Sequence, residues 1–290
     1  MTNYEAVDFL KHSYASMGIQ TPSLHMVLGS GFGKALDEIS LPGNWKKKGE
    51  ISFSKVPGLV TATAPDHRGT YVYYEDSNTR KTITFQIGRL HGYEGIDPAQ
   101  VVQTVTCPLL AGTSHFILTN AAGALCTDFK VGGVMLIEDQ VNFTGKNPLL
   151  GPNPVDQKGA PIGARFPDMS QLYDRKMREG LSSFLAAEGL SIHKGIYLGL
   201  LGPSFETPAE VKLFARWGAH AVGMSTVWEA IALKHAGATL AGVSLLSNMG
   251  VGLTDEVVSE EEVIRNSRIS ARAIVLGLLK FAEKELKSYG

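Results

Sequence analysis

The sequence has little that would direct the protein to a membrane or to nucleic acid. Its 290 residues carry a formal net charge of −1, so no excess of charge favours nucleic acid or an anionic membrane as a partner. No apolar run approaches the roughly 20 residues that cross a bilayer. The N-terminal residues are polar and acidic, unlike a signal peptide, and we expect a cytoplasmic protein. Any anion that this chain binds must therefore be held by a local site.

Cysteine is also scarce. The chain has two cysteines, Cys107 and Cys126, and two in this length do not make a disulfide framework. The pattern favours two buried or half-buried thiols, although the two residues could pair. A hydrophobic content of 44% is ordinary for a globular protein with a large core.

Short apolar runs recur along the chain at the length of β-strands. Most are continuous rather than alternating, which is typical of strands covered on both faces. Helical segments lie between many of them, and this alternation predicts an α/β fold with one domain over residues 1–290. The predicted strands are residues 26–28, 83–87, 116–119, 134–138, 196–200, 221–223 and 240–246.

Several helix starts are marked by N-cap residues. Asp97 followed by Pro98 predicts a helix that runs to about residue 111. Capping-box spacing occurs at residues 207–210, 226–229 and 259–262, and the last of these opens a long predicted helix over about 260–286. Residues 146–167 are rich in Gly and Pro. Such a long irregular stretch is disordered, functional, or an arm that contacts a neighbouring subunit.

Four polar or glycine-rich clusters follow predicted strands, where α/β proteins bind ligands. The first, Leu28-Gly-Ser-Gly-Phe-Gly33, contains Ser30. Its glycines let backbone N–H groups approach an anion at a helix N-terminus, although an ordinary tight turn accounts for them equally well. The spacing departs from G-x-G-x-x-G, which argues against NAD.

The second cluster places Arg89 and His91 two residues apart on an extended segment, so both side chains point the same way. Together they can grip one oxyanion, but a solvated loop with a surface ion pair fits the same pattern. The third cluster is Thr119-Asn-Ala-Ala-Gly-Ala124. Its small residues let either a ligand or a neighbouring loop lie against the backbone.

The fourth cluster is a pair, Gly202-Pro-Ser-Phe-Glu-Thr207 and Gly223-Met-Ser-Thr226, at two helix starts. Phe205 offers a face to a flat ring. Glu206 can accept hydrogen bonds from the N–H groups of a purine, or it can simply favour the helix start as a negative charge.

These clusters, in this order, resemble those of the trimeric purine nucleoside phosphorylases. The resemblance covers about residues 28–282. The matching stretches are Arg89-x-His91-x-Tyr-Glu-Gly95, residues 119–123, Arg165-Phe-Pro-x-Met169, residues 202–207, residues 223–226 and Asn248. It implies an α/β phosphorylase fold with a central mixed β-sheet flanked by helices. It also implies a homotrimer with active sites near subunit contacts, and neither a metal nor an organic cofactor.

The resemblance also assigns roles by position. Phosphate, a co-substrate, is expected to be bound by Ser30, Arg89, His91, Ser225 and the backbone of Ala121, with His67 at the edge. The nucleoside is expected to contact Tyr93, Tyr197, Phe205, Glu206, Met224 and Asn248, with Phe166 supplied by the adjacent subunit. Asn248, His91 and Glu206 are the expected catalytic residues.

In the implied reaction, phosphate attacks the anomeric carbon of a 6-oxopurine nucleoside, such as inosine or guanosine, and the base leaves with negative charge. Arg89 positions the phosphate, and Asn248 donates to N7 or O6 of the base as charge develops. One residue departs from the family pattern. Glu260 stands where many members have a histidine that contacts the sugar 5′-hydroxyl, and a carboxylate can accept that hydrogen bond but cannot donate one.

Three other functions compete with this hypothesis. A methylthioadenosine phosphorylase has the same fold but normally carries Asp at the position of Asn248. A nucleoside hydrolase that uses water would leave Ser30, Arg89, His91 and Ser225 without a purpose. A catalytically silent nucleoside-binding protein would have little reason to retain both the anion ligands and the base ligands.

Overall fold

A computed structural model describes residues 2–29, 31–41, 43–63, 68–254 and 259–285, without the side chains of residues 260, 262–267, 269 and 285. The helices are α1 (Tyr4–Ser16), α2 (Phe32–Glu38), α3 (Pro98–Val101), α4 (Gln103–Leu110), α5 (Arg175–Ala187), α6 (Pro208–Arg216), α7 (Val227–His235) and α8 (Glu260–Glu285). The strands are β1 (Leu24–Leu28), β2 (Trp45–Ser52), β3 (Thr70–Asp76), β4 (Thr82–Ile87), β5 (His115–Ala124), β6 (Val134–Asn142), β7 (Ile192–Gly199), β8 (Ala221–Gly223) and β9 (Thr239–Met249).

Within these residues the strands form one mixed sheet in the order β2-β3-β4-β1-β5-β8-β7-β6-β9. Strand β1 pairs in parallel with β4 and β5, and β5 pairs in parallel with β9, whereas β3 is antiparallel to its two neighbours β2 and β4. Because β9 pairs with both β5 and β6, the strands β5, β8, β7, β6 and β9 close into a ring. The predicted mixed sheet flanked by helices is confirmed.

The two largest apolar cores lie on opposite faces of the sheet. Along β5, Ile117 packs into the core that holds helices α2, α5 and α8. Its neighbours Phe116 and Leu118 pack into the other core, with α4 and α7. Successive side chains of a strand point to opposite faces, so burial on both faces explains the continuous apolar runs of the sequence.

The site is positioned by four of these strands. Strands β1, β4, β5 and β9 run in the same direction, so their carboxyl ends meet at one edge of the sheet. Gly29 follows β1, Arg89 follows β4 after one glycine, and Asn248 lies near the end of β9. Three segments that are distant in sequence therefore reach one place, as is usual for ligand sites in α/β proteins.

Most predicted strands are longer in the structure than their apolar runs, and two strands were missed. Strand β2 carries three consecutive lysines, and its burial is mixed because it lies at the edge of the sheet. Strand β3 is buried along most of its length, but its tyrosines and carboxylates do not form an apolar run. The single helix predicted from residue 98 to about 111 is two helices, α3 and α4, separated at Val102.

The predicted capping boxes have different outcomes. At α6, Thr207 and Glu210 bond reciprocally, as expected. At α7 the prediction is wrong, because Thr226 has a φ of 72° and makes no side-chain cap, and its hydroxyl accepts a hydrogen bond from Asn120 Nδ2 at 2.8 Å. The third box, residues 259–262, lies outside the described side chains. Helix α8 itself confirms the long predicted helix up to residue 285.

Both cysteines are free thiols, as predicted. Cys107 is buried and Cys126 is partly exposed. Among the described helices, none combines the length and the apolarity that a membrane crossing requires.

The Gly/Pro-rich segment, residues 146–167, contains no helix or strand, and we call it the arm. Asn153 holds the arm in place: its Oδ1 lies 3.1 Å from Nε2 of His235 in α7, and its Nδ2 donates to the carbonyl of Gly163 within the arm. At its start and end the arm exposes apolar side chains, with Leu150 at 74% and Phe166 at 88% exposure. Prediction left open whether this segment is disordered, and the structure shows defined contacts along it.

Candidate active site

A cavity of about 400 Å³ lies at the edge of the sheet where the four parallel strands end. Nine of the fourteen predicted site residues line it, and they come from five separate stretches of the chain. These nine are Arg89, His91, Tyr93, Ala121, Phe205, Glu206, Met224, Ser225 and Asn248. A volume of this size suits a small organic ligand.

Arg89 is the buried cation of the site, with 1% of its surface exposed. Its Nη1 donates to the carbonyl oxygen of Thr119 at 2.6 Å and to Oγ of Ser225 at 3.2 Å. Its Nη2 lies 3.3 Å from Oε2 of Glu229. These contacts come from β5 and from the start of α7, so the guanidinium is held in one orientation at the cavity wall.

His91 is oriented by Glu94, a residue that the site prediction missed. The backbone N–H of His91 donates to Oε1 of Glu94 at 2.7 Å, and its Nδ1 lies 3.3 Å from the same oxygen. Burial lowers the pKa of His91 more than the Glu94 hydrogen bond raises it, so the imidazole is neutral near pH 7. A carboxylate only accepts hydrogen bonds, which assigns the ring proton to Nδ1 and leaves Nε2 as an acceptor.

Glu94 also holds Thr63 in place. The backbone N–H and the hydroxyl of Thr63 donate to Oε2 of Glu94 at 2.7 and 2.5 Å. Burial raises the pKa of Glu94, but the hydrogen bonds from His91 and Thr63 outweigh it and hold the pKa at about 2. The carboxylate is therefore ionised throughout the neutral range. A signal for it exists in the sequence, because His91 and Glu94 have capping-box spacing, and the Glu94 carboxylate does accept from the backbone N–H of His91.

The structure corrects the predicted contact between Tyr197 and the nucleoside. Its side chain is fully buried at 0% exposure and lies outside the cavity wall. Its hydroxyl accepts a hydrogen bond from the backbone N–H of Ser225 at 3.4 Å, close beneath Gly223. Tyr197 therefore supports the backbone that carries Ser225 instead of contacting the sugar.

The carboxamide of Asn248 is oriented by its two sequence neighbours. Its Nδ2 donates to the carbonyl of Met249 at 2.9 Å, and its Oδ1 accepts from Oγ of Ser247 at 2.8 Å. A carbonyl only accepts hydrogen bonds, so the atom facing Met249 must be the nitrogen, and the amide cannot be flipped without losing this bond. Asn248 lines the cavity, and its Nδ2 carries a second hydrogen that the bond to Met249 does not use.

Phe205 and Glu206, just before α6, also line the cavity. Phe205 is 43% exposed, so one face of its ring is available to a flat ligand. Burial raises the pKa of Glu206, which makes its carboxylate a stronger hydrogen-bond acceptor. Tyr93 stacks on His91 with ring centroids 4.6 Å apart, and the pair forms a further part of the lining.

Four predicted site residues are not placed at the cavity by this chain. Phe166 is exposed on the arm and does not line the cavity of its own chain. Ser30 and His67 lie outside the described residues, and Glu260 begins α8 but its side chain is not described.

Other residues at the site escaped prediction. Asn120 and Ser247 line the cavity, and Thr119 and Glu229 contact Arg89 behind it. Asn120 and Thr119 belong to the third cluster, residues 119–124, but the sequence does not show which of its side chains face a ligand. The spacing of residues 226–229 predicts that Glu229 caps a helix. Its pairing with Arg89 depends on tertiary contacts, which the sequence does not show.

The comparison with protein families decides the classification of the site. The family model of the phosphorylase superfamily matches residues 48–281 of this chain. The chain belongs to the phosphorylase superfamily. The matched region contains all of the cavity-lining residues except Gly29.

Individual relatives agree over nearly the whole length. The chain is 36% identical to purine nucleoside phosphorylase 1 of Bacillus subtilis over 270 residues, 93% of each protein. It is 35% identical to purine nucleoside phosphorylase 1 of Geobacillus stearothermophilus over 263 residues, 91% of this chain and 90% of that protein. The crystal structure of Schistosoma mansoni purine nucleoside phosphorylase with inosine superposes with a TM-score of 0.82 and 28% identity, covering 98% of both chains.

Proposed function

We propose that this phosphorylase cleaves purine nucleosides with inorganic phosphate to give the free base and a pentose 1-phosphate. The observation that carries the proposal is that one cavity joins an oxyanion set, Arg89, His91 and Ser225, to a set suited to a purine, Phe205, Glu206 and Asn248. The relatives named above carry the same activity in their names. We assign it to one domain over residues 1–290, with no metal or organic cofactor.

At the phosphate end, the groups differ in what they offer. Arg89 and the Ser225 hydroxyl donate hydrogen bonds, whereas neutral His91 with its proton on Nδ1 presents an acceptor at Nε2. Monohydrogen phosphate carries one proton and three unprotonated oxygens, and it satisfies both kinds of group. These contacts hold a phosphate oxygen for attack on the anomeric carbon as the glycosidic bond breaks, and the gain comes from positioning.

At the base end, the remaining hydrogen of Asn248 Nδ2 meets the charge that develops when the bond breaks. The electron pair of the glycosidic bond moves onto the purine, and a fixed donor at N7 or O6 stabilises the departing anion. The contacts with Ser247 and Met249 hold the amide in this orientation before the substrate binds. Such preorganisation avoids reorientation during the reaction.

Glu206 and Asn248 together favour 6-oxopurines over adenine. Glu206 accepts from N1–H, which hypoxanthine and guanine have and neutral adenine lacks. Asn248 can accept from the 6-amino group of adenine only if its amide flips, and it then no longer donates to N7. Two mismatched polar groups at about 1–3 kcal/mol each yield a preference on the order of 10²–10⁴ for inosine over adenosine. The Schistosoma mansoni relative has been crystallised in complex with adenosine, so the preference of this chain has to be measured with both nucleosides.

Phosphate dependence tests the proposed activity. Purified protein is assayed for release of hypoxanthine from inosine, with saturating phosphate and after exhaustive removal of phosphate. We expect cleavage only with phosphate, because attack by water finds none of the positioning that Arg89 gives to an anion. Cleavage that persists at the same rate without phosphate would indicate a hydrolase. No cleavage under either condition, together with nucleoside binding, would indicate a silent binding protein.

We further propose that the active form is a homotrimer in which Phe166 of one subunit covers the cavity of the next. In support, the arm contacts the rest of its own chain at His235, yet Phe166 is exposed and does not line the cavity of its own chain. An aromatic residue that is 88% exposed on an ordered segment is suited to contact another molecule.

Subunit complementation tests this arrangement. Phe166→Ala should raise the nucleoside KM about tenfold, since an aromatic wall contributes on the order of 1 kcal/mol beyond its buried area. The phosphate KM should stay nearly unchanged. Phe166→Ala and Arg89→Ala chains, co-expressed, should form mixed trimers with more activity than either variant alone. Such trimers contain intact cavities covered by an intact Phe166. A fully active monomer in sedimentation, or no gain on mixing, would contradict the proposal.

A further inference from the structure

Glu229 is a buried carboxylate directly behind the phosphate-binding arginine. It is 2% exposed, and its Oε2 lies 3.3 Å from Nη2 of Arg89. Within the described part of the chain, neither of its oxygens has a hydrogen-bond partner. A buried carboxylate is costly unless a charge or hydrogen bonds compensate it, so a merely structural role would call for better partners at this position.

Helix α6 provides an internal comparison. Both α6 and α7 start with Thr-x-x-Glu. In α6, the carboxylate of Glu210 accepts from the backbone N–H of Thr207 at 2.7 Å, which is the expected cap. In α7, Thr226 adopts a left-handed φ of 72°, its hydroxyl lies 3.0 Å from Oγ of Ser225, and Glu229 faces Arg89. The start of α7 thus gives up its cap, and both polar residues contact side chains that line the cavity.

We propose that Glu229 is a positioning residue that acts through Arg89: it fixes the guanidinium and, as a counter-charge, lowers the affinity of the site for phosphate. The inference rests on the proposed function. The described charges near the site support it, because Arg89 is paired with Glu229, and of the next two groups Glu94 is ionised while His91 is neutral. The site therefore binds phosphate through directed hydrogen bonds, without an excess of positive charge. Weak net attraction also lets the anionic pentose 1-phosphate leave.

Glu229→Gln tests the counter-charge, because it keeps the size of the side chain and removes its charge. We expect the phosphate KM, and the dissociation constant of inorganic phosphate in calorimetry, to decrease about tenfold. This is the order expected for one charge removed at roughly 7 Å, with partial screening. The inosine KM should stay within about twofold of the wild-type value. A general structural defect would instead weaken both substrates together.

Two further variants sharpen the test. Glu75 is also a buried carboxylate, paired with Arg80 at 2.8 Å, and it lies outside the cavity lining. Glu75→Gln therefore makes the same change of charge elsewhere and should leave the phosphate KM unchanged. Glu229→Asp retains the charge but moves it one methylene from Arg89, and it should lower the phosphate KM by a smaller factor. It decides the question if Glu229→Gln does not fold.

The outcomes separate this inference from the activity on which it rests. An unchanged or raised phosphate KM in folded Glu229→Gln, or in Glu229→Asp if the first variant does not fold, would overturn the counter-charge role. The phosphorylase activity would then still stand. Wild-type protein that cleaves inosine without phosphate would refute both proposals. An equal decrease of the phosphate KM in Glu75→Gln would also overturn the inference, because it would show an effect of total charge.

Discussion

Replacing Arg89 by alanine is expected to lower kcat/KM for phosphate by about 10³-fold, near the upper end of what one preorganised charged donor contributes. The guanidinium donates to both the Thr119 carbonyl and the Ser225 hydroxyl. The variant therefore loses the cation and also the hydrogen bonds that connect β5 to the residues before α7. The measurement is steady-state kinetics with phosphate as the varied substrate. An unchanged phosphate KM and kcat would remove Arg89 from the site.

The same substitution should also destabilise the protein, and this effect can be separated from catalysis. Without Arg89, the Glu229 carboxylate is left buried and unpaired, at a cost of about 3–5 kcal/mol in the free energy of unfolding. The double variant Arg89→Ala/Glu229→Gln removes the uncompensated charge. We expect it to recover most of the lost stability in urea unfolding while its phosphorolysis stays as low as that of Arg89→Ala. Recovered activity in the double variant would mean that Arg89 acts only by neutralising Glu229.

The second large effect concerns the choice of base at Asn248. Asn248→Ala should lower kcat for inosine by about 10²–10³-fold, because the donor to the departing base is lost. Asn248→Asp should also lower inosine cleavage but should raise the ratio of adenosine to inosine. In that variant the oxygen that faces the Met249 carbonyl must carry a proton, since two acceptors cannot bond. The atom that faces the base is then an oxygen with lone pairs instead of an N–H donor, so it can accept from the 6-amino group of adenine.

Ser247→Ala is the matched control for this prediction. It removes the hydrogen bond that holds Oδ1 of Asn248 but leaves the Nδ2 donor and its bond to Met249. We expect a loss of kcat no larger than about tenfold, the order of one neutral hydrogen bond, with no change in base preference. The specificity constants for inosine and adenosine in all variants are the required data. Wild-type protein that cleaves both nucleosides equally well would show that Asn248 and Glu206 do not set base choice.

The part of the site that the sequence predicts well depends on local geometry. Arg89 and His91 are two residues apart on an extended segment, and both do line the cavity. Asn248 was placed by family resemblance and lies near the end of β9, where parallel strands bring ligand residues together. Continuous apolar runs predicted a sheet covered on both faces, because burial on both faces needs no alternation.

What the sequence could not predict depends on tertiary contacts. Tyr197 was assigned to the sugar, but a strand residue points to one of two faces, and the structure buries this one beneath Ser225. Strands β2 and β3 were missed because lysines, tyrosines and carboxylates interrupt the apolar pattern, although β3 is largely buried. The Thr-x-x-Glu starts of α6 and α7 are equivalent in sequence, and only the fold gives Glu229 an arginine to face.

The identity of the sugar product tests the central claim most directly. Inosine and inorganic phosphate are incubated with the wild-type protein, and the reaction is followed by ³¹P NMR together with the release of hypoxanthine. We expect one ribose 1-phosphate to form, and one inorganic phosphate to disappear, for each hypoxanthine released. Free ribose with no consumption of phosphate would contradict the assignment of Arg89, His91 and Ser225 to the attacking phosphate.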